Sequence, residues 1–198
     1  MRPLASLPSH YSQRGRLDLG QQRAAAVAIN VGAIILVFVF GWLFLNYTVA
    51  VRPDMEVLRL EAGNILDIGW FLGWLLIIAG IQVGLHEAIH GLFFWSFTGS
   101  RPKFGFTGLY AYAAAPDWYL PRNQHLIISL APFVLITLAG LGLLLVLPAG
   151  LVASVLVIIT LNAAGSIGDL VVALWLLSLP RSTMVLDAGE AITIYTDS

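Results

Sequence analysis

The sequence contains no cysteine and few charged residues. None of its 198 residues is cysteine, which excludes disulfide bonds and thiolate metal sites. Any bound metal must therefore use histidine or carboxylate ligands. Only 11% of the residues are charged, whereas soluble domains carry about 25%. Because 59% of the residues are hydrophobic, the composition predicts a membrane protein whose first partner is the lipid bilayer. The net charge of −1 gives no indication of nucleic-acid binding.

Long uncharged runs locate the membrane-spanning segments. Residues 24–51 contain no charge, and residues 68–97 contain Glu87 and two histidines as their only ionisable side chains. Residues 126–168 form 43 positions without charge or histidine. As a single helix this run would be about 65 Å long, twice a hydrocarbon core of about 30 Å. It must therefore fold back, and Pro148-Ala149-Gly150 is the strong helix breaker near its middle.

These runs predict an all-α polytopic membrane protein with four transmembrane helices. The predicted helices cover residues 24–47, 67–97, 123–147 and 151–179. The domain organisation that follows is an N-terminal tail (1–23), a four-helix transmembrane domain (24–180) and a short C-terminal tail (181–198).

The arginines and lysines predict the orientation in the membrane. Eight of the ten lie in the N-terminal tail, in loop 98–122 or in the C-terminal tail. The other two, Arg52 and Arg59, lie in loop 48–66. Positively charged loops stay on the cytoplasmic side. We therefore expect both termini and loop 98–122 to be cytoplasmic, with loop 48–66 outside.

The segment HEAIH, residues 86–90, places three ionisable side chains within a predicted span. Ionisable residues at such depth are costly and indicate function. His86 and His90 are four residues apart, so their rings lie on one helical face and can converge on one metal ion. Glu87 is rotated about 100° from His86, where it can act on a water molecule without being a ligand. The pattern predicts a zinc site whose bound water lies within reach of Glu87.

A catalytic zinc ion takes three protein ligands and leaves one position open, so a third ligand must come from elsewhere. Asp169 is the other acidic residue well inside the predicted spans, and it lies at nearly the same predicted depth as His90. His125, at the start of the third predicted helix, is the competing ligand. Asn162, Ser166 and Asp169 share a helical face, so Asn162 and Ser166 are expected either to hydrogen-bond the ligands or to make plain hydrogen bonds between helices.

Each of these residues also has a structural interpretation. The HEAIH side chains could form a buried polar cluster that holds helices together. Asp169 could make a hydrogen bond or a salt bridge, even with the same histidines.

The loop between the second and third predicted helices contains a second pattern. In KFGFTGLYAYAAAP, Phe104, Phe106, Tyr110 and Tyr112 occupy even positions, which is typical of a β-strand. These residues are predicted to form a strand or hairpin that pairs with an extended substrate segment. An aromatic belt at the membrane interface is the alternative. The C-terminal tail predicts a small hairpin that turns around Asp187-Ala188-Gly189.

Taken together, these segments resemble a known family. HEAIH in a transmembrane helix, PDWYLPRNQHLIISLAPF before the third helix and NAAGSIGDL in a later one are similar to the putative zincin peptidase family. This family of small bacterial and archaeal membrane proteins is in turn similar to the site-2 proteases, which are intramembrane zinc metallopeptidases. The resemblance covers residues 65–180. It implies zinc ligands at His86, His90 and Asp169, Glu87 as base, and location in a prokaryotic cell membrane.

The chain departs from the site-2 proteases at one motif. Those enzymes carry an Asn-Pro segment followed by Asp-Gly, whereas here Ala163 stands in place of the proline and Leu170 in place of the glycine. The leading expectation is a membrane-embedded zinc metallopeptidase that hydrolyses a peptide bond near the cytoplasmic face. The alternatives are a catalytically silent metal-binding or sensor protein and, third, a proton or metal transporter. A transporter normally shows repeats and broken helices in corresponding halves, and the sequence shows neither.

Overall fold

The structure is a computed structural model that describes residues 2–18, 21–53, 65–108 and 110–197. Five helices and six strands lie within these residues. In chain order they are β1 (Tyr11–Asp18), α1 (Arg23–Val51), α2 (Ile65–Thr98), β2 (Lys103–Phe106), β3 (Ala111–Ala114), β4 (Tyr119–Pro121), α3 (Arg122–Leu144), α4 (Ala149–Gly165), α5 (Ile167–Leu177), β5 (Met184–Asp187) and β6 (Ala191–Asp197).

The chain forms two compact units. The first contains Met1–Val31, Glu87–Pro132 and Ile167–Ser198, and the second contains Gly32–His86 and Phe133–Ser166. All six strands belong to the first unit, together with the C-terminal part of α2, the N-terminal part of α3 and α5. The second unit is helical.

Two antiparallel sheets organise the first unit. Four strands form one sheet in the order β1-β6-β5-β4, and β2 pairs with β3 in the other. Val172 and Leu176 of α5 pack on Val185 and Ile194 of the larger sheet. At Gly15 of β1 a Cβ atom would lie only 2.7 Å from the Trp175 ring, so this contact requires glycine.

In the second unit, helices pack through apolar side chains. Its core contains Phe44, Leu144, Val152, Leu156, Ile159 and Ala163. Gly140 of α3 lies directly against the Ile159 side chain of α4, which allows the two helices to approach closely. Arg52 donates to the carbonyl oxygens of Leu144 and Leu147 at 3.1 and 3.0 Å, which satisfies carbonyls at and just after the C-terminal end of α3.

The outer surface of the helices is strongly apolar. Trp70, Leu76 and Phe38 are more than 70% exposed. Among the described residues, three helices are long and apolar enough to cross a membrane, namely α1, α2 and α3. Helices α4 and α5 meet at a bend of 41°. Together they are long and apolar enough for a fourth span, provided that the two are counted as a single span. These helices are consistent with a membrane protein, because lipid would cover such a surface favourably.

The prediction of an all-α protein with four transmembrane helices is wrong. The described residues contain six strands, and one of the four predicted helices is two helices with a break at Ser166. Strand β1 was missed because it pairs with β6, about 180 positions further along the chain. Local periodicity does not reveal such a distant pairing. The helix break falls at the Gly165-Ser166 dipeptide, which is a common cause of sharp bends.

Other predictions concern the loops. The two predicted hairpins are confirmed, because β2 pairs with β3 and β5 pairs with β6. The turn predicted at 148–150 corresponds to the boundary between α3 and α4, where Pro148 precedes the first helical residue. Most of predicted loop 48–66, including Arg59, lies outside the described residues.

Candidate metal centre

The HEAIH segment lies near the C-terminal end of one continuous helix, α2. His86 and His90 are buried, at 7% and 8% exposure, whereas Glu87 is half-buried. The helical spacing of four residues places the two histidines on the same face, one turn apart. Glu87 is turned away from that line by about 100°.

His90 is held by the backbone of another helix. Its Nδ1 atom lies 3.0 Å from the carbonyl oxygen of Ile128 in α3. A carbonyl oxygen can only accept a hydrogen bond, so Nδ1 carries the proton and donates it. In the neutral ring the lone pair is then on Nε2, the atom that a metal ion would bind.

Asp169 provides a carboxylate at this Nε2 atom. Its Oδ2 lies 3.4 Å from His90 Nε2. Asp169 is in the first turn of α5, where the partial positive charge of the helix N-terminus favours a carboxylate. The break at Ser166 creates this new helix start. His90 lies eight residues before the end of α2 and Asp169 eight before the end of α5, or about 12 Å along each helix.

His86 has a similar hydrogen-bond partner. Its Nδ1 lies 3.0 Å from Oδ1 of Asn162, a fully buried residue of α4. An amide oxygen also accepts, so this bond selects the tautomer with the lone pair on Nε2. Both histidines therefore have the hydrogen-bond arrangement expected of neutral metal ligands.

The donor atoms fit a zinc ion. One ligand atom from each of His86, His90 and Asp169 can be chosen so that all three lie within 4.8 Å of one another. Two ligands bound tetrahedrally at 2.0–2.1 Å would be about 3.3 Å apart, close to the 3.4 Å between His90 and Asp169. A lone pair facing a carboxylate oxygen also favours a cation between them. The residues could hold zinc with a position left for water.

His125 has other partners. Its Nε2 lies 3.0 Å from Oδ2 of Asp187, and its Nδ1 lies 3.2 Å from the Ser129 hydroxyl. The side chain is 2% exposed, and it is not a member of the His-His-Asp group found among the described residues. The geometry therefore favours Asp169 over His125 as the third ligand.

The structure places the other predicted site residues as follows. Ser166 follows the last residue of α4, and its hydroxyl donates to the Asn162 carbonyl at 2.7 Å, so this bond goes to a backbone oxygen rather than to one of the predicted ligands. The Asn162 side chain lies within hydrogen-bond distance of His86. The Ile128 carbonyl was missed by sequence reasoning, because a backbone partner has no residue-type signature.

The aromatic residues of the β2–β3 hairpin divide between two faces. The register pairs Phe104 with Ala113 and Gly105 with Tyr112, so Tyr112 faces away from Phe104 and Phe106. The Phe104 ring lies against Gly91, where a Cβ atom would come within 2.5 Å of it. This contact brings the hairpin beside the residue that follows His90.

The two tyrosines lie towards the C-terminal hairpin. The Tyr112 ring packs against Gly189, which has a positive φ of 85° in the turn between β5 and β6. Burial raises the pKa of the Tyr110 phenol, and the nearby carboxylates of Glu190 and Asp18 raise the pKa further. Tyr110 is therefore protonated at neutral pH.

Comparison with known proteins supports the metal site. Residues 79–184 match the family described as putative zincin peptidase, and this range includes His86, Glu87, His90 and Asp169. Neither the curated proteins nor the solved structures give a match. The family match covers more than half of the 198 residues. The chain belongs to the putative zincin peptidase family.

Proposed function

We propose that this protein is a membrane-embedded zinc metallopeptidase that hydrolyses a peptide bond near the cytoplasmic face of the membrane. The observation that carries the proposal is the His-His-Asp group, in which HEAIH supplies two ligands and a base from one helix. The family match supports the same chemistry. The sequence resemblance to the site-2 proteases supplies the analogy for intramembrane cleavage.

In this proposal His86, His90 and Asp169 hold the ion. When bound, zinc acidifies a coordinated water towards a pKa of about 7 and polarises the substrate carbonyl. Asn162 and the Ile128 carbonyl keep the histidine rings in the orientation that ligation requires. Glu87 accepts the proton of the attacking water and delivers it to the leaving amine, so that no proton is lost between the two steps.

The β2–β3 hairpin is proposed to align the substrate. In the part of the chain that the structure describes, this sheet has two strands, so β2 has an outer edge that can pair with an extended peptide. Phe104 and Phe106 are 60% and 72% exposed on the same face of β2. Since Phe104 contacts α2 at Gly91, a peptide paired with β2 would run close to His90.

The direct test is zinc content together with cleavage by the purified protein. We expect about one zinc per chain and hydrolysis of a co-reconstituted membrane peptide that presents an extended segment. Removal of zinc by a chelator should abolish cleavage, and added zinc should restore it. A protein that purifies and folds without binding zinc would contradict the proposal. Zinc binding with no cleavage would favour the silent metal-binding alternative.

The orientation proposed for the membrane has its own test. The native chain has no cysteine, so a single introduced cysteine reports one position. We expect Asp117→Cys to be labelled by a membrane-impermeant reagent only after the membrane is opened, and Pro53→Cys to be labelled from outside. Both positions are exposed. The expectation follows from the excess of positive residues in loop 98–122 and the tails. Labelling of Asp117→Cys in intact cells would contradict the proposed orientation and indicate the opposite one.

A further inference from the structure

Helix α3 contains a proline, Pro132, in its interior. Proline has no backbone N–H, so the carbonyl four residues earlier receives no helical hydrogen bond from this position. The proline ring also pushes that carbonyl away from the helix axis. The carbonyl in question belongs to Ile128, a residue that is 1% exposed. A buried carbonyl without a donor is costly, so it requires a partner from elsewhere.

The partner is His90, the second histidine of HEAIH. Its Nδ1 donates to the Ile128 carbonyl oxygen at 3.0 Å. This bond fixes the tautomer whose Nε2 faces Asp169. With an ordinary residue at 132, the backbone N–H would compete for the same oxygen and draw it back towards the axis of α3.

We infer that Pro132 is a positioning residue for the metal centre, because it releases the Ile128 carbonyl to orient His90. The inference rests on the proposed function, in which His90 is a zinc ligand. This positioning role differs from a purely structural role, in which Pro132 would only bend α3. In that case the lost N–H would have no connection with metal affinity.

The primary test is Pro132→Ala, which restores the N–H. Loss of an outer hydrogen bond to a ligand weakens metal binding about 10–100-fold. We therefore expect the dissociation constant for zinc, measured by competition with a chelator, to rise by about that factor. Thermal stability of the metal-free protein should hold or increase, because alanine favours a helix interior.

Gly142→Ala is the matched control. It strengthens the same helix at a position where an added Cβ has nothing within 4 Å, and it leaves the Ile128 carbonyl unchanged. Its zinc affinity should equal that of the wild type. An equal loss of affinity in both variants would mean that the stiffness of α3, rather than the carbonyl, controls zinc binding, which would overturn the inference.

A second variant separates the missing N–H from the proline ring. Lactic acid at position 132 has an ester oxygen where alanine has N–H, so it lacks both the ring and the donor. We expect this ester to bind zinc nearly as tightly as the wild type. If the ester lost as much zinc affinity as Pro132→Ala, the inference would be overturned. If Pro132→Ala fails to fold, the zinc affinity of the ester still shows whether the missing N–H is sufficient for tight binding without the proline ring.

A third measurement needs no metal. In metal-free protein with ¹⁵N-labelled histidine, the proton on His90 Nδ1 should exchange slowly with solvent in the wild type and faster in Pro132→Ala, because the variant's new N–H competes for the Ile128 carbonyl. An unchanged exchange rate would contradict the inference. A wild type that binds no zinc would instead contradict the proposed function, while the exchange comparison would still report on Pro132 separately.

Discussion

Glu87→Gln should keep zinc bound while reducing peptide cleavage by about 10²–10⁴-fold, the contribution typical of a positioned acid–base group. Glutamine has nearly the same size and shape as glutamate but cannot accept a proton at neutral pH. Because Glu87 is rotated away from the face that carries His86 and His90, its loss should leave the ligands in place. The measurement is zinc content and cleavage rate on matched preparations.

The control for this change is Glu190→Gln. Glu190 is exposed beside the turn between β5 and β6, and the substitution removes the same charge far along the chain from HEAIH. It should retain wild-type cleavage. Equal cleavage by the wild type and by Glu87→Gln would show that Glu87 is not the base. Loss of zinc or of folding in Glu87→Gln would instead indicate a structural role.

Asp169→Ala should produce the largest loss of zinc among single substitutions outside HEAIH. The change removes one of the three proposed ligands, the carboxylate that lies 3.4 Å from His90 Nε2. We expect a loss of affinity greater than the roughly 10–100-fold that follows removal of an outer partner. Zinc analysis after dialysis against a weak chelator measures it. Asp117→Ala, which removes a carboxylate that is 73% exposed, should retain zinc.

Asn162→Leu should have a zinc affinity between that of the wild type and that of Asp169→Ala. It preserves the three ligands and removes the amide oxygen that accepts from His86 Nδ1. Zinc affinity should fall by about 10–100-fold, whereas Asn162→Asp, which keeps an acceptor, should bind zinc nearly as tightly as the wild type. If Asp169→Ala retains full zinc, the third ligand is another residue, and His125→Ala becomes the next variant to measure.

Much of the site could be predicted from the sequence because its chemistry is local. His86, Glu87 and His90 lie within five residues, and helical geometry alone determines which of them share a face. Asp169 could be named as a candidate third ligand by a different argument, because a carboxylate inside an apolar run needs a partner. The membrane class followed from composition. The β2–β3 hairpin followed from a pattern that repeats every two residues, and the C-terminal hairpin from its Asp187-Ala188-Gly189 turn.

Tertiary structure decided what depends on distant parts of the chain. The pairing of β1 with β6 joins the two tails into one sheet, and no local pattern records it. The break at Ser166 turned one predicted span into two helices and placed Asp169 at a helix start. The register of β2 with β3 placed Phe104 and Tyr112 on opposite faces although both positions are even, because an odd-numbered residue lies opposite each even one.

The hydrogen bonds of the histidines show the same division. The sequence by itself determined that His86 and His90 could ligate one ion, because a helix fixes the relation between positions four residues apart. Only the tertiary structure decided which nitrogen of each ring would do so, because Asn162 and the Ile128 carbonyl belong to other helices. The proline that releases that carbonyl is visible in the sequence, but its importance depends on α2 and α3 being in contact.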